Sequence, residues 1–225
     1  MGTDRCQQDD CSARPSVAVS SPERAILIQQ AFRLEWLTVG WMVIEAGVAI
    51  WAGVAAGSLM LTAFGLDSVI ELASAGVLIW RLTVELRSGQ SFSEIAERRA
   101  SRIAGGLLFA LAAYIVLGAG WGLWTQHQEA FSPPGLIIAA LAMPIMYLLA
   151  RRKLAIAGQI GSRAMRADAV ESVTCGWLSA VVVVGLLAEL LLHAWWIDPV
   201  ASLGILWFVL REAREAWLGE DCCDD

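Results

Sequence analysis

Long apolar segments are the feature that most limits how this chain can fold. Several of them approach the roughly 20 residues of helix that cross a bilayer core about 30 Å thick. Strand-like alternation of polar and apolar residues is missing, and runs of Ala, Leu, Val and Gly dominate. With 57% hydrophobic residues and a mean hydropathy of +0.60, the chain is too apolar for an ordinary soluble domain. We therefore predict an all-α, polytopic membrane protein.

Six apolar segments are expected to span the membrane as helices. Their approximate bounds are residues 34–56, 58–80, 103–124, 134–150, 167–192 and 199–210. The sequence "AGS" between the first two predicts a tight turn. Pro144 lies inside the fourth segment and is expected to kink it. The sixth is short for an untilted span, so a re-entrant helix is the alternative there.

The flanking regions are polar, and they set the expected orientation. Residues 1–24 are rich in Pro and Ser and lack the apolar middle of a signal peptide, so a disordered cytoplasmic tail is expected. Residues 25–218 would form the six-helix transmembrane domain, and residues 219–225 a short cytoplasmic tail containing Cys and Asp. All 16 Lys and Arg residues fall in segments assigned to one side of the membrane. The positive-inside rule then predicts a multi-pass protein of the cell membrane with both termini in the cytoplasm.

Two acidic residues interrupt the second segment, "LTAFGLDSVIELASAGVLIW" from residue 61. Asp67 and Glu71 are four residues apart, so they share one helix face. An ionised side chain at the bilayer centre costs about 2.5 to 3.5 kcal/mol, and such residues are usually functional. Two adjacent unpaired carboxylates would also repel each other, whereas a bound cation or a proton removes the repulsion. The pair therefore predicts a cation site, and one that exchanges metal for protons would be an antiporter.

The fifth segment carries a matching polar stripe in "RADAVESVTCGWLS". Asp168, Glu171 and Cys175 lie three and four residues apart, close to one helix face. Carboxylate oxygens and a thiolate together suit a divalent transition metal, Zn²⁺ most readily. Each residue also has a structural alternative. Asp168 and Glu171 could cap the N-terminus of the helix, and Cys175 could be a small buried apolar side chain.

Two more acidic residues, Glu45 and Asp198, lie outside the second and fifth segments. Glu45, near the centre of the first segment, could be an accessory ligand, a proton acceptor or a hydrogen-bonded structural acid. Asp198 precedes Pro199, which is typical of a helix start, and is expected to act as a cap. The full set of candidate metal ligands is Asp67, Glu71, Glu171, Cys175, Asp168 and Glu45.

Three stretches resemble helices of the cation diffusion facilitator family. "GLDSVIE" followed by "LIWRL" resembles its second transmembrane helix, "RADAVES" to "LSAVVVVGLL" its fifth, and "WWIDPVASLGILWFVLREAREAW" its sixth. The resemblance implies a six-helix exporter of divalent metal, usually zinc, driven by proton exchange. It implies a site made of Asp67 and Glu71 from the second helix and Glu171 and Cys175 from the fifth. Much of the family has a His at one or more of these positions, and the apolar segments of this chain contain none.

Typical members also carry a cytoplasmic metal-binding domain after the sixth helix, which supports dimers. Only 15 residues follow residue 210 here, so the resemblance is to a short subgroup without that domain, and a homodimer is left open. We expect a transporter that exports divalent cations such as Zn²⁺ from the cytoplasm by proton antiport. The metal would be its substrate and not a permanent cofactor.

The expected partners are the metal ion, protons and the lipid bilayer, and no nucleic acid. A membrane receptor or scaffold that binds metal without moving it is the alternative function. An enzyme is not expected, because the sequence contains no recognisable set of nucleophile, base and orienting residue.

Overall fold

The computed structural model describes residues 21–88, 94–126, 130–160, 163–192 and 194–218. These residues form six helices and no strand, which confirms the predicted all-α fold. The helices are α1 (Ser21–Ala56), α2 (Leu59–Ser88), α3 (Glu94–Thr125), α4 (Pro133–Ile160), α5 (Arg163–Leu192) and α6 (Ile197–Leu218). Most of both predicted tails, with Cys6, Cys11, Cys222 and Cys223, lies outside the described residues.

The helices are longer than the apolar segments that predicted them. Helix α1 begins at Ser21, inside the expected tail, and α2 continues to Ser88. Helix α4 continues through Pro144 to Ile160, and α5 begins at Arg163. The polar stretches that follow the second and fourth apolar segments are therefore largely helical. Their Ala, Leu, Glu and Arg residues are good helix formers, and they extend the helices beyond the apolar layer.

Helices α1 to α5 each contain a segment long and apolar enough to cross a membrane. Helix α6 has 22 residues, which gives it a length of about 33 Å. Its C-terminal half, however, carries Arg211, Glu212, Arg214 and Glu215. The sixth span therefore stays a prediction.

Large apolar side chains point away from the bundle along these helices. Leu117 is 74% exposed, Trp124 87% and Leu191 77%. So many exposed large apolar side chains are unfavourable in water and are expected where the surroundings are lipid. The chain is a multi-pass membrane protein.

Helix α2 lies at the centre of the bundle, because it packs against α1, α3, α5 and α6. Its approach to α1 is especially close. A Cβ atom added at Gly65 would lie 2.8 Å from the backbone nitrogen of Ile50, and one added at Gly53 would lie 2.6 Å from that of Thr62. Small residues of this kind let two membrane helices pack backbone to backbone. The contact helps to fix the rotation of α2, and with it the direction of Asp67.

The predicted tight turn between α1 and α2 is present. Gly57 adopts a positive φ of 73°, the left-handed conformation that commonly ends a helix. The Ser58 backbone N–H donates to the Gly53 carbonyl at 2.9 Å, which closes the turn.

Asp198 acts as a cap, but for a different helix from its own. It lies in the first turn of α6, and its carboxylate accepts hydrogen bonds from the Ser58 hydroxyl and from the backbone N–H groups of Leu59 (2.9 Å) and Met60 (3.1 Å). These donors are at the N-terminus of α2, where N–H groups lack intrahelical partners. Asp198 therefore joins the start of α6 to the start of α2.

Candidate metal site

Asp67 and Glu71 point into the bundle from one face of α2. Asp67 is 0% exposed and Glu71 is 6% exposed. Neither oxygen of either carboxylate has a hydrogen-bond partner among the described residues. Burying a carboxylate without such a partner is costly, because its lost hydration is not replaced. Two of them in adjacent turns form a site that a cation or protons would stabilise.

A third acid reaches this position from α6. One carboxylate oxygen each from Asp67, Glu71 and Glu212 lies within 4.8 Å of the other two. Oxygens on opposite sides of one Mg²⁺ or Ca²⁺ ion are about 4 to 5 Å apart, twice the metal–oxygen distance. Among the described residues, Asp67, Glu71 and Glu212 are the group of acidic, Cys or His side chains whose ligand atoms are close enough together to share one metal ion.

Glu212 is not among the predicted ligands, because it follows the sixth apolar segment, which ends at about residue 210. A signal for it does exist in the sequence. Ile205, Val209 and Ala213 are each 0% exposed, and their spacing of four marks the inward face of α6. Glu212 lies three residues after Val209 and seven after Ile205, and both spacings place it on the same face of the helix.

The α5 candidates lie beside the three carboxylates. Glu171 is half-buried and close enough to Asp67 and Glu71 for their charges to interact. Cys175 is fully buried, and its thiol donates to Oε1 of Glu45 at 3.4 Å. It also neighbours Glu71. The polar stripes of α2 and α5 thus face the same region, and the role of Glu171 and Cys175 as ligands stays a prediction.

Glu45 is held by hydrogen bonds from three side chains. Trp41 Nε1 donates to Oε2 at 2.5 Å, while Ser68 Oγ (2.9 Å) and Cys175 Sγ (3.4 Å) donate to Oε1. The carboxylate therefore links α1 to α2 and α5. Of the three roles considered for Glu45, this geometry favours the structural acid.

Asp168 forms a buried ion pair with a lysine from the polar stretch that follows the fourth apolar segment. Lys153 of α4 binds the Asp168 carboxylate and also Oε2 of Glu35 in α1, at 3.1 Å. The side chains of Lys153 and Glu35 are 0% exposed and that of Asp168 is 11% exposed. Asp168 does not cap α5, because α5 begins earlier, at Arg163. Since Asp168 shares Lys153 with Glu35, it is not among the metal ligands proposed below.

Comparison with known proteins decides the family. The family model for the cation efflux transmembrane domain matches residues 36–217. This chain belongs to the cation efflux family. The match confirms the resemblance drawn from the sequence, and it includes the acids of α2, α5 and α6.

This cation efflux protein is also similar to a bacterial relative. It is 29% identical over 187 residues to "Uncharacterized transporter sll1263" of Synechocystis sp. (strain ATCC 27184 / PCC 6803 / Kazusa). The alignment covers 77% of this chain and 57% of the relative. The chain thus matches little more than half of the relative's length.

Proposed function

We propose that this cation efflux protein binds a divalent metal cation at Asp67 and Glu71 and exports it from the cytoplasm. The proposal rests on the burial and the missing hydrogen bonds of these two side chains. Both are buried in α2, and their oxygens lack hydrogen-bond partners among the described residues. Buried membrane acids are expensive, and a bound cation supplies the missing interactions. Membership of the family supports the same function.

Proton exchange follows from the same chemistry. When the metal leaves, the like charges of Asp67 and Glu71 remain side by side in a region of low dielectric, which favours uptake of protons. A proton and a metal ion then compete for the same oxygens. A site that binds one or the other on each side of the membrane performs antiport.

The position of α2 supports alternating access. It carries Asp67 and Glu71 and packs against both α5 and α6. A movement of α5 or α6 relative to α2 would open the site towards one side and then the other. In this proposal Glu171 supplies a further ligand from α5, with Cys175 close by, and the substrates are divalent metal cations, Zn²⁺ among them. The one-sided distribution of Arg and Lys supports a cell-membrane location with both termini cytoplasmic.

Metal flux in proteoliposomes tests the proposal. The full chain is reconstituted with a metal-sensitive dye and a pH-sensitive dye inside the vesicles. We expect Zn²⁺-dependent flux with opposite proton movement for the wild type, and its loss in the Asp67→Asn and Glu71→Gln variants. Glu215→Gln is the matched control, because Glu215 is exposed and pairs with Arg211 on the surface of α6.

The outcomes separate the two functions considered. Metal binding without flux in the wild type would favour the receptor or scaffold. Undiminished flux in Asp67→Asn would contradict the proposed site. Neither flux nor binding for any divalent metal would contradict both functions.

A further inference from the structure

We propose that Glu212 of α6 is a ligand of the transported metal, and that the resulting three-carboxylate site suits oxygen-preferring divalent cations, of which Mn²⁺ is the probe. The inference rests on the proposed function, because it assigns a ligand and a substrate class to the same site. It extends the site from the helix pair α2 and α5 to α6.

The first support is the convergence of the three carboxylates. Oxygens of Asp67, Glu71 and Glu212 lie within 4.8 Å of one another, although the residues come from two helices. Three negative charges at this spacing repel each other unless a cation or protons neutralise them. Asp67 is 0% exposed and has no hydrogen-bond partner in the described part of the chain. The group is therefore more than a patch of surface acids.

The second support is the state of Glu212 itself. The residue is half-buried, yet its Oε1 atom is buried and has no hydrogen-bond partner in the described helices. The carboxylate has the Thr174 side chain of α5 as a neighbour. Its neighbours on α6 behave differently, because Arg211 and Glu215 are exposed and pair with each other at 2.9 Å. The orientation of Glu212 is thus distinct from that of the surface charges around it.

The donor chemistry then indicates the class of ion. Carboxylate oxygens suit Mg²⁺, Ca²⁺ and Mn²⁺, whereas thiolate and imidazole ligands favour zinc and other softer ions. Cys175 has a sulfur atom that could bind a softer metal ion, but it does not belong to the group of Asp67, Glu71 and Glu212. Its thiol instead donates a hydrogen bond to Glu45. The assembled ligand set is therefore made of oxygen alone. Zn²⁺ binds most sites more tightly than Mn²⁺ in absolute terms, so the informative quantity is how the ratio of the two affinities changes.

Equilibrium dialysis of the purified full chain against MnCl₂ and ZnCl₂ tests this inference. Removing a ligand should cost at least the roughly tenfold loss that follows removal of an outer-shell partner. We expect Glu212→Gln to weaken Mn²⁺ binding about tenfold or more, and Zn²⁺ binding less. Glu212→Asp, which keeps the charge on a shorter side chain, should give a smaller loss of Mn²⁺ affinity. Glu215→Gln, the same change three residues away on the exposed face, should leave both affinities unaltered.

Cys175→Ser removes the thiol and tests whether sulfur contributes to metal binding. We expect it to leave the Mn²⁺ to Zn²⁺ affinity ratio unaltered. If that variant weakens Zn²⁺ selectively, or if Glu212→Gln weakens both metals equally, the preference for oxygen-bound ions is overturned. If both Glu212 variants bind the two metals like wild type, Glu212 is not a ligand, while the proposed function stands. Absence of binding of either metal to the wild type would instead remove the proposed function.

Discussion

Replacing Lys153 by methionine tests the ion cluster that joins α1, α4 and α5. The substitution keeps an unbranched side chain only one atom shorter, but it leaves the carboxylates of Glu35 and Asp168 without their cation. At the 3.1 Å separation of Lys153 and Glu35, the attraction is about 5 kcal/mol for an effective dielectric constant of about 20. Much of this is offset by the cost of desolvating the charges.

The net loss of stability depends on the buried charges of Glu35 and Asp168 that remain after the substitution. Breaking a buried ion pair by removing one partner typically costs about 3 to 5 kcal/mol, because the other charge is left uncompensated. We expect Lys153→Met to lower the free energy of unfolding by that amount. The triple variant Lys153→Met, Glu35→Gln, Asp168→Asn should recover most of it, since no buried charge remains.

Reversible unfolding in mixed micelles, followed by tryptophan fluorescence, measures both variants. Arg211→Met is the matched control, because Arg211 and Glu215 form an ion pair whose side chains are 63% and 56% exposed. Solvent screens such a pair, so we expect almost no loss of stability. A Lys153→Met protein as stable as the wild type, or a triple variant less stable than the single one, would refute the reasoning.

Three further predictions concern packing, capping and pH. Gly65→Ala should destabilise the fold by about 1 to 3 kcal/mol, because the new Cβ meets the α1 backbone. Gly47→Ala has nothing within 4 Å of the new Cβ and should be neutral or stabilising by up to about 1 kcal/mol. Thermal unfolding compares the two variants, and equal effects would contradict the close approach of α1 and α2. Asp198→Ala should cost about 2 kcal/mol through loss of the α2 cap, and the same unfolding assay would show no change if the cap were unimportant. Lowering the pH on the cytoplasmic face should slow metal transport, because protons occupy the oxygens of Asp67 and Glu71 that the metal needs; transport that is insensitive to pH would argue against a shared site.

The helices and the acid pair of α2 could be predicted because both are local features. An apolar run near 20 residues long indicates a membrane helix whatever its neighbours are. A spacing of four places Asp67 and Glu71 on one face of any α-helix. Neither inference needs to know which helices pack together.

The missed features all depend on tertiary contacts. Lys153 follows two arginines at the end of an apolar run, and such a run of cations is typical of an exposed segment. Its burial depends on Glu35 and Asp168, which come from two other helices. Glu212 approaches Asp67 and Glu71 because of how α6 is rotated against α2. Asp198 caps a helix whose first residue is 139 positions away. Sequence spacing within one helix carries no information about these distant partners.

The central claim is that Asp67 and Glu71 together hold one divalent cation. Metal content of the purified full chain, after incubation with Mn²⁺ or Zn²⁺ and removal of free metal, tests it most directly. We expect bound metal in the wild type and in Glu215→Gln, and none in the Asp67→Asn, Glu71→Gln double variant when that protein remains folded by thermal unfolding. The same metal content in the folded double variant as in the wild type would contradict the claim.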